Sequence, residues 1–233
     1  QGDYQSVLDH WNKSLEIFES IKDSEGISNL TNNLGAVYQS QGSKYAIDFY
    51  LRSLSLAEKI QDSSRIVVTL LNIGERYSDK IKDYNKALEY YNQIPRYLPA
   101  LNEPQITTTY FMAVGEIYLM QGKFEYALKF YQDAMPISIN TLNYANNLTQ
   151  LGIVEFKMGH SSKAIAFLNQ AYQNAKKNNQ QFNMVKALIE LGKVYQNNDF
   201  PNAIRAFNEA ESIASTINAK LELKDIYEGL TEV

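Results

Sequence analysis

Apolar residues return along this chain every three or four positions, in blocks separated by polar links. Leu30, Leu34, Val37 and Tyr38 share one face; Ala46, Phe49, Tyr50, Ser53 and Leu54 share another. This i, i+3, i+4, i+7 spacing predicts two amphipathic helices joined near Gly42. The same two-helix pattern recurs down the chain, with links such as KDSEG (22–26), QDSS (61–64) and KKNNQQ (176–181) between pairs. Ser24, Asp62, Thr141 and Ser161 stand where N-caps are wanted. Pro104 and Pro201 fit first turns, where a missing N–H leaves nothing unpaired.

The recurrence is a repeat. NLGAVY ends at Tyr38, NIGERY at Tyr77, AVGEIY at Tyr118 and ELGKVY at Tyr195, and QLGIVEF holds the same place up to Phe156. The marking glycines are Gly35, Gly74, Gly115, Gly152 and Gly192, so one repeat is about 40 residues. A second signature follows each time: YAIDFYLRSL, KALEYYNQI, YALKFYQDAM, KAIAFLNQAY and NAIRAFNEAE. Gly and Ala at fixed steps let helix axes approach near the lower end of the usual range of roughly 8–10 Å, with aromatics filling the space beside each crossing. No single pair can bury its apolar face alone, so the pairs are expected to stack into a solenoid.

These linked signatures resemble the tetratricopeptide repeat, and residues 114–135 match its pattern at nearly every marked position. Repeats of this length are similar to those of kinesin light chains, bacterial quorum-sensing regulators, and the input regions of bacterial sensor kinases and nucleotide cyclases. The resemblance implies an all-α, right-handed superhelical solenoid of antiparallel helix pairs. It covers 1–233 as one domain: five full pairs, a leading second helix and a trailing first helix. Because the array starts and stops mid-repeat, a fragment of a longer protein is expected. Departures are visible. Gly42 to Ala46 is one residue short, Tyr77 to Tyr84 is one too long, Glu155 replaces the usual Tyr, and IPRYLPALNEP (94–104) carries three prolines. Pro95 should end its helix early, which makes this junction the candidate for a bend.

Composition narrows function more than fold. Of 233 residues 45% are hydrophobic, enough for a buried core or an elongated array, and the formal net charge is -4. No basic block suits a phosphate backbone, so a nucleic-acid partner is not expected. No apolar run of about 20 residues is present, so no membrane span is expected here. Cysteine is absent. His10 and His160 lack acidic or thiol neighbours at metal spacing, and no Gly-rich loop cradles phosphate. No cofactor and no catalysis are expected.

The resemblance implies that first helices line a concave groove that binds a protein or peptide segment. Carried over residue by residue, the groove includes Asn29, Asn32, Asn33, Asn72, Glu75, Met112, Glu116, Gln150, Lys186 and Lys193. Asn33 and Asn72 precede the Leu-Gly and Ile-Gly marks, where an amide can clamp an extended backbone; the alternative is a solvated helix face. The chaperone-type carboxylate clamp is not matched, since its places hold Ala36, Glu75, Glu116, Ile153 and Lys193. Glu75 and Glu116 fit a basic ligand side chain or are exposed carboxylates. Lys186 and Lys193 fit an anionic group or are surface lysines. Met112, with Leu119 and Met120, is an adaptable groove patch or core. An interaction scaffold is the first expectation; a sensory input domain of a bacterial sensor kinase or nucleotide cyclase is the alternative. Self-association into a homodimer is compatible with both. A cytoplasmic location is expected, with the periplasmic part of a membrane-anchored sensor as the alternative.

Overall fold

The computed structural model describes residues 4–233, and among these only helices and their connections occur. The helices are α1 (Tyr4–Ser20), α2 (Ser24–Ser40), α3 (Ala46–Lys59), α4 (Ser63–Glu75), α5 (Tyr84–Tyr91), α6 (Pro104–Met120), α7 (Phe124–Ser138), α8 (Tyr144–Lys157), α9 (Ser161–Lys177), α10 (Gln181–Tyr195), α11 (Phe200–Thr216) and α12 (Lys220–Thr231). The five expected pairs are α2/α3, α4/α5, α6/α7, α8/α9 and α10/α11, with α1 leading and α12 trailing. Two compact units result, one ending at Ile106 and the other running from Thr107 to Val233. No described helix is long and apolar enough to cross a membrane.

Four helix starts are capped by aspartate. Asp23 accepts from Gly26 N at 3.0 Å, Asp62 from Arg65 N at 2.9 Å, Asp83 from Lys86 N at 2.9 Å and Asp199 from Asn202 N at 3.2 Å. The caps expected at Ser24, Thr141 and Ser161 are not formed: Asp23, Asn143 and His160 hold those places instead. Thr141 Oγ1 accepts from Asn143 N, so its hydroxyl closes a local turn rather than capping α8. Pro104 opens α6 and Pro201 lies in the first turn of α11, as expected.

Each marking glycine gives its place to one large side chain from the second helix of its own pair. A Cβ on Gly35 would stand 2.6 Å from the Tyr50 ring, on Gly74 2.1 Å from Tyr91, on Gly115 2.8 Å from Tyr131, on Gly152 2.6 Å from Leu168 and on Gly192 2.6 Å from Phe207. These partners are buried, as are Ala46, Ala87, Ala127, Ala164 and Ala203 of the second signature. The large group therefore sits on the glycine itself, a closer fit than plugs beside a crossing. Burying each such side chain stabilises by about 1.5–3 kcal/mol. The repeat tyrosine stacks on the aromatic beside that plug: Tyr38 on Phe49 at 5.0 Å, Tyr77 on Tyr90 at 5.6 Å, and Tyr118 on Phe130 at 5.5 Å. Glu155 breaks this series; its buried carboxylate takes a hydrogen bond with His160 Nδ1 at 2.6 Å.

The irregular spacings have structural counterparts. The extra residue after Tyr77 is absorbed by a π-helical segment, Arg76–Ile81, which widens the turn at the end of α4. Lys82 then takes a left-handed φ of 62°, where the α6/α7 and α8/α9 turns use Gly122 and Gly159. Arg76 stands where other repeats carry Val37, Ile117, Val154 or Val194. It is buried and donates through Nη2 to Ser43 O at 2.8 Å and Gly42 O at 3.4 Å. The long second repeat thus holds the carbonyls of the short first turn. Further on, α5 is short, and two 3₁₀ turns, Ile94–Arg96 and Leu98–Ala100, follow it. Pro95 lies in the first of these, as its lack of a donor demands.

Candidate functional site

The repeat register places three rows of side chains on the first helices. One row is Asn29, Val68, Thr109, Asn146 and Lys186. The next is Asn33, Asn72, Ala113, Gln150 and Glu190, and the third is Ala36, Glu75, Glu116, Ile153 and Lys193. The two units treat these rows differently.

In the first unit each row has a member held by a neighbouring side chain. Asn72 Nδ2 donates to Asn32 Oδ1 at 2.9 Å, Arg65 Nε donates to Asn29 Oδ1 at 2.9 Å, and Gln39 Nε2 donates to Glu75 Oε2 at 3.4 Å. Arg65 also meets Glu25 at 3.3 Å and Asp62 at 3.2 Å. A shallow cleft of about 200 Å³ lies here, lined by Asn29, Asn32, Asp62, Ser64, Arg65 and Val68, and its one cation is neutralised from within. Asn33 is exposed and, among the described residues, makes no side-chain hydrogen bond. The asparagines that precede the glycine marks are therefore unlike: Asn72 has an amide proton committed to Asn32, and Asn33 does not.

In the second unit, α8, α10 and α12 enclose a cleft of about 200 Å³. Its walls are Asn146, Thr149, Gln150 and Ile153 from α8, Lys186, Ile189 and Glu190 from α10, and Glu222 and Asp225 from α12. Thr149 turns its hydroxyl to Ala145 O at 3.0 Å, which leaves Asn146 and Gln150 as the amides facing the space. Lys193 lies outside the lining and pairs with Glu190 at 2.6 Å. Lys186 Nζ is held over the Phe182 ring, 4.7 Å from its centroid. Gln196 Nε2 ties α10 to α12 by donating to Gly229 O at 2.9 Å. On α6, Glu116 is exposed, and Met112 is half-buried against the cluster of Ala127, Tyr131, Leu151 and Val154. Met112 and Leu119 thus serve the core in part, while Met120 is exposed.

Of the residues expected in a groove, Gln150 and Lys186 meet in this cleft, and Asn29 and Asn32 meet in the first. Sequence reading missed Arg65, Glu222 and Asp225. Asp225 lies 39 residues after Lys186, one repeat on, but α12 lacks the Leu-Gly-x-x-Tyr mark that would have set its register.

Three tyrosines of the helix pairs hold their protons more tightly than free tyrosine. Burial, with the Glu116 charge adding to it, raises the Tyr131 hydroxyl well above the usual tyrosine range. Burial does the same for Tyr50, with Glu75 adding and Arg76 opposing. Tyr172 is pushed up to about 12 by burial and by its hydrogen bond to Glu209. Among the described residues no three His, Asp or Glu side chains gather as metal ligands.

The tetratricopeptide repeat model matches residues 27–94 and 105–177, more than half of the chain, and the chain belongs to that family. No curated protein matches the sequence. Among solved structures, BtubC (BKLC) from P. vanneervenii is similar with a TM-score of 0.79 at 18% identity, over 94% of this chain and 93% of that one. The apo quorum sensor NprR from B. thuringiensis has a TM-score of 0.74 at 18% identity, over 98% and 71%; NprR is also known in complex with its cognate peptide NprX. A STAND signal-transduction ATPase with a tetratricopeptide repeat sensor from Pyrococcus horikoshii has a TM-score of 0.78 at 16% identity, over 96% of this chain and 35% of that one. At these identities the likeness is one of fold.

Proposed function

We propose that the chain is one tetratricopeptide solenoid that acts as a protein-interaction module and binds a peptide segment of a partner on its first-helix face. The observation that carries this reading is the cleft of the second unit. Six side chains from equivalent repeat positions on α8 and α10 line it together, and two of them are amides with no partner of their own among the described residues. An amide offers one acceptor and two donors, which suits the alternating N–H and C=O of an extended backbone. The NprR complex with NprX is a case of a similar fold holding a peptide.

The test is selection from a random heptapeptide library displayed on phage, with the immobilised full chain as bait. Peptides are expected to be enriched, and their binding is expected to fall when Asn146→Ala and Gln150→Ala are combined. No enrichment, or enrichment of peptides indifferent to both substitutions, contradicts the reading. A role as sensory input to an attached effector is the second reading. It is favoured by the likeness to the tetratricopeptide sensor of the STAND protein, and the bound peptide would then be the signal.

A further inference from the structure

The charges around the second-unit cleft are unevenly settled. Glu190 is neutralised by Lys193 at 2.6 Å. Lys186 rests on Phe182. Glu222 and Asp225, three residues apart on α12, both line the cleft and have no basic partner among the described residues. The lysines of the same helix lie elsewhere. Lys220 and Lys224 line a separate surface with Leu223, Tyr227, Glu228 and Thr231, and Lys224 pairs with Glu228 at 3.4 Å. Helix α12 therefore turns Glu222 and Asp225 to the cleft and keeps both of its ammonium groups, with Glu228, on the other surface. Ile153 and Ile189 line the same cleft, apolar surface of the kind that suits a long aliphatic stem.

We propose that the bound peptide is recognised through a cationic side chain, lysine or arginine, whose head lies between Glu222 and Asp225 and whose stem lies on Ile153 and Ile189. The proposal rests on the peptide-binding reading above and adds the chemistry of the ligand. Two carboxylates three residues apart on one helix face neighbour each other and can share one cation. They give the site a preference that the amides of α8, which address backbone, do not supply.

The experiment repeats the heptapeptide selection on two full-length baits, the natural chain and a Glu222→Gln, Asp225→Asn chain. Both substitutions keep shape and remove charge, and Asp225→Asn alone is the second variant should the pair fail to fold. The natural chain is expected to enrich peptides with Lys or Arg at a fixed place, and the variant is expected to lose that preference while still enriching peptides. A fluorescein-labelled peptide from the first selection should then bind the variant roughly tenfold more weakly by anisotropy, with a shallower salt dependence. Enrichment without a basic residue, or the same basic preference on both baits, overturns the proposal and leaves the peptide-binding reading standing. No enrichment on either bait overturns that reading and the proposal with it.

Discussion

The two units share one way of packing and differ in what their first helices do with polar side chains. Tyr50 on Gly35 and Tyr131 on Gly115 are the same joint in different units, each plug almost wholly buried. On the first helices, the first unit ties three pairs of polar groups to each other, Asn32 with Asn72, Asn29 with Arg65 and Gln39 with Glu75, and leaves Asn33 exposed. The second leaves Asn146, Gln150, Glu222 and Asp225 facing a cleft. The repeat dictates the joint, and the residues between its marks decide whether a face holds the solenoid together or stays open to a ligand.

The shared joint is where disruption costs most. Tyr50→Ala and Tyr131→Ala each remove a buried ring that its glycine cannot replace, and each should lose about 3–5 kcal/mol in urea unfolding. A loss in only one unit would mean the joints are not equivalent. Next comes Arg76→Met, which keeps bulk but strips the donors from Gly42 and Ser43 carbonyls in the first unit. It should cost about 1–3 kcal/mol. A gain instead would show that burying the guanidinium outweighs its hydrogen bonds.

Alkaline unfolding should draw on the second unit's Tyr172, as well as on the buried Tyr50 and Tyr131. The folded value of Tyr172 is raised from 10.0 to about 12, so the folded state holds the proton more tightly than the unfolded chain does. That contribution to stability is complete below pH 10 and is lost as pH rises through about 12. The urea midpoint should fall over this window, and Tyr172→Phe should make the fall smaller. An identical fall in the variant would remove Tyr172 from the account.

The smallest effects draw the sharpest line. Asn32→Ala unpairs Asn72 and should destabilise by about 1 kcal/mol. Gln150→Ala, on the open face, should stay within about 0.5 kcal/mol of the natural chain. Equal losses would erase the contrast between the units.

Most of the scaffold was legible in the sequence because periodicity reports packing directly. Five glycines at nearly constant steps, each followed by an Ala and a large residue, announced five helix pairs. Even the spacing errors were informative, since one residue too many became a π turn. Less was legible where chemistry is local. Asp23 rather than Ser24 caps α2 because the two neighbours are both competent, and backbone geometry decides between them. The unlike fates of Asn33 and Asn72 depend on Asn32 of the preceding repeat, which no single-repeat pattern reveals. The acidic wall of the cleft sits on α12, where the repeat marks have faded and only counting by 39 from Lys186 finds Asp225.

The central claim is that the second unit's first-helix face is the binding face. The most direct measurement is amide hydrogen exchange of the full chain with and without a selected heptapeptide. The account predicts added protection confined to α8, α10 and α12. Protection centred on α2 and α4, or on the second helices α9 and α11, would contradict it.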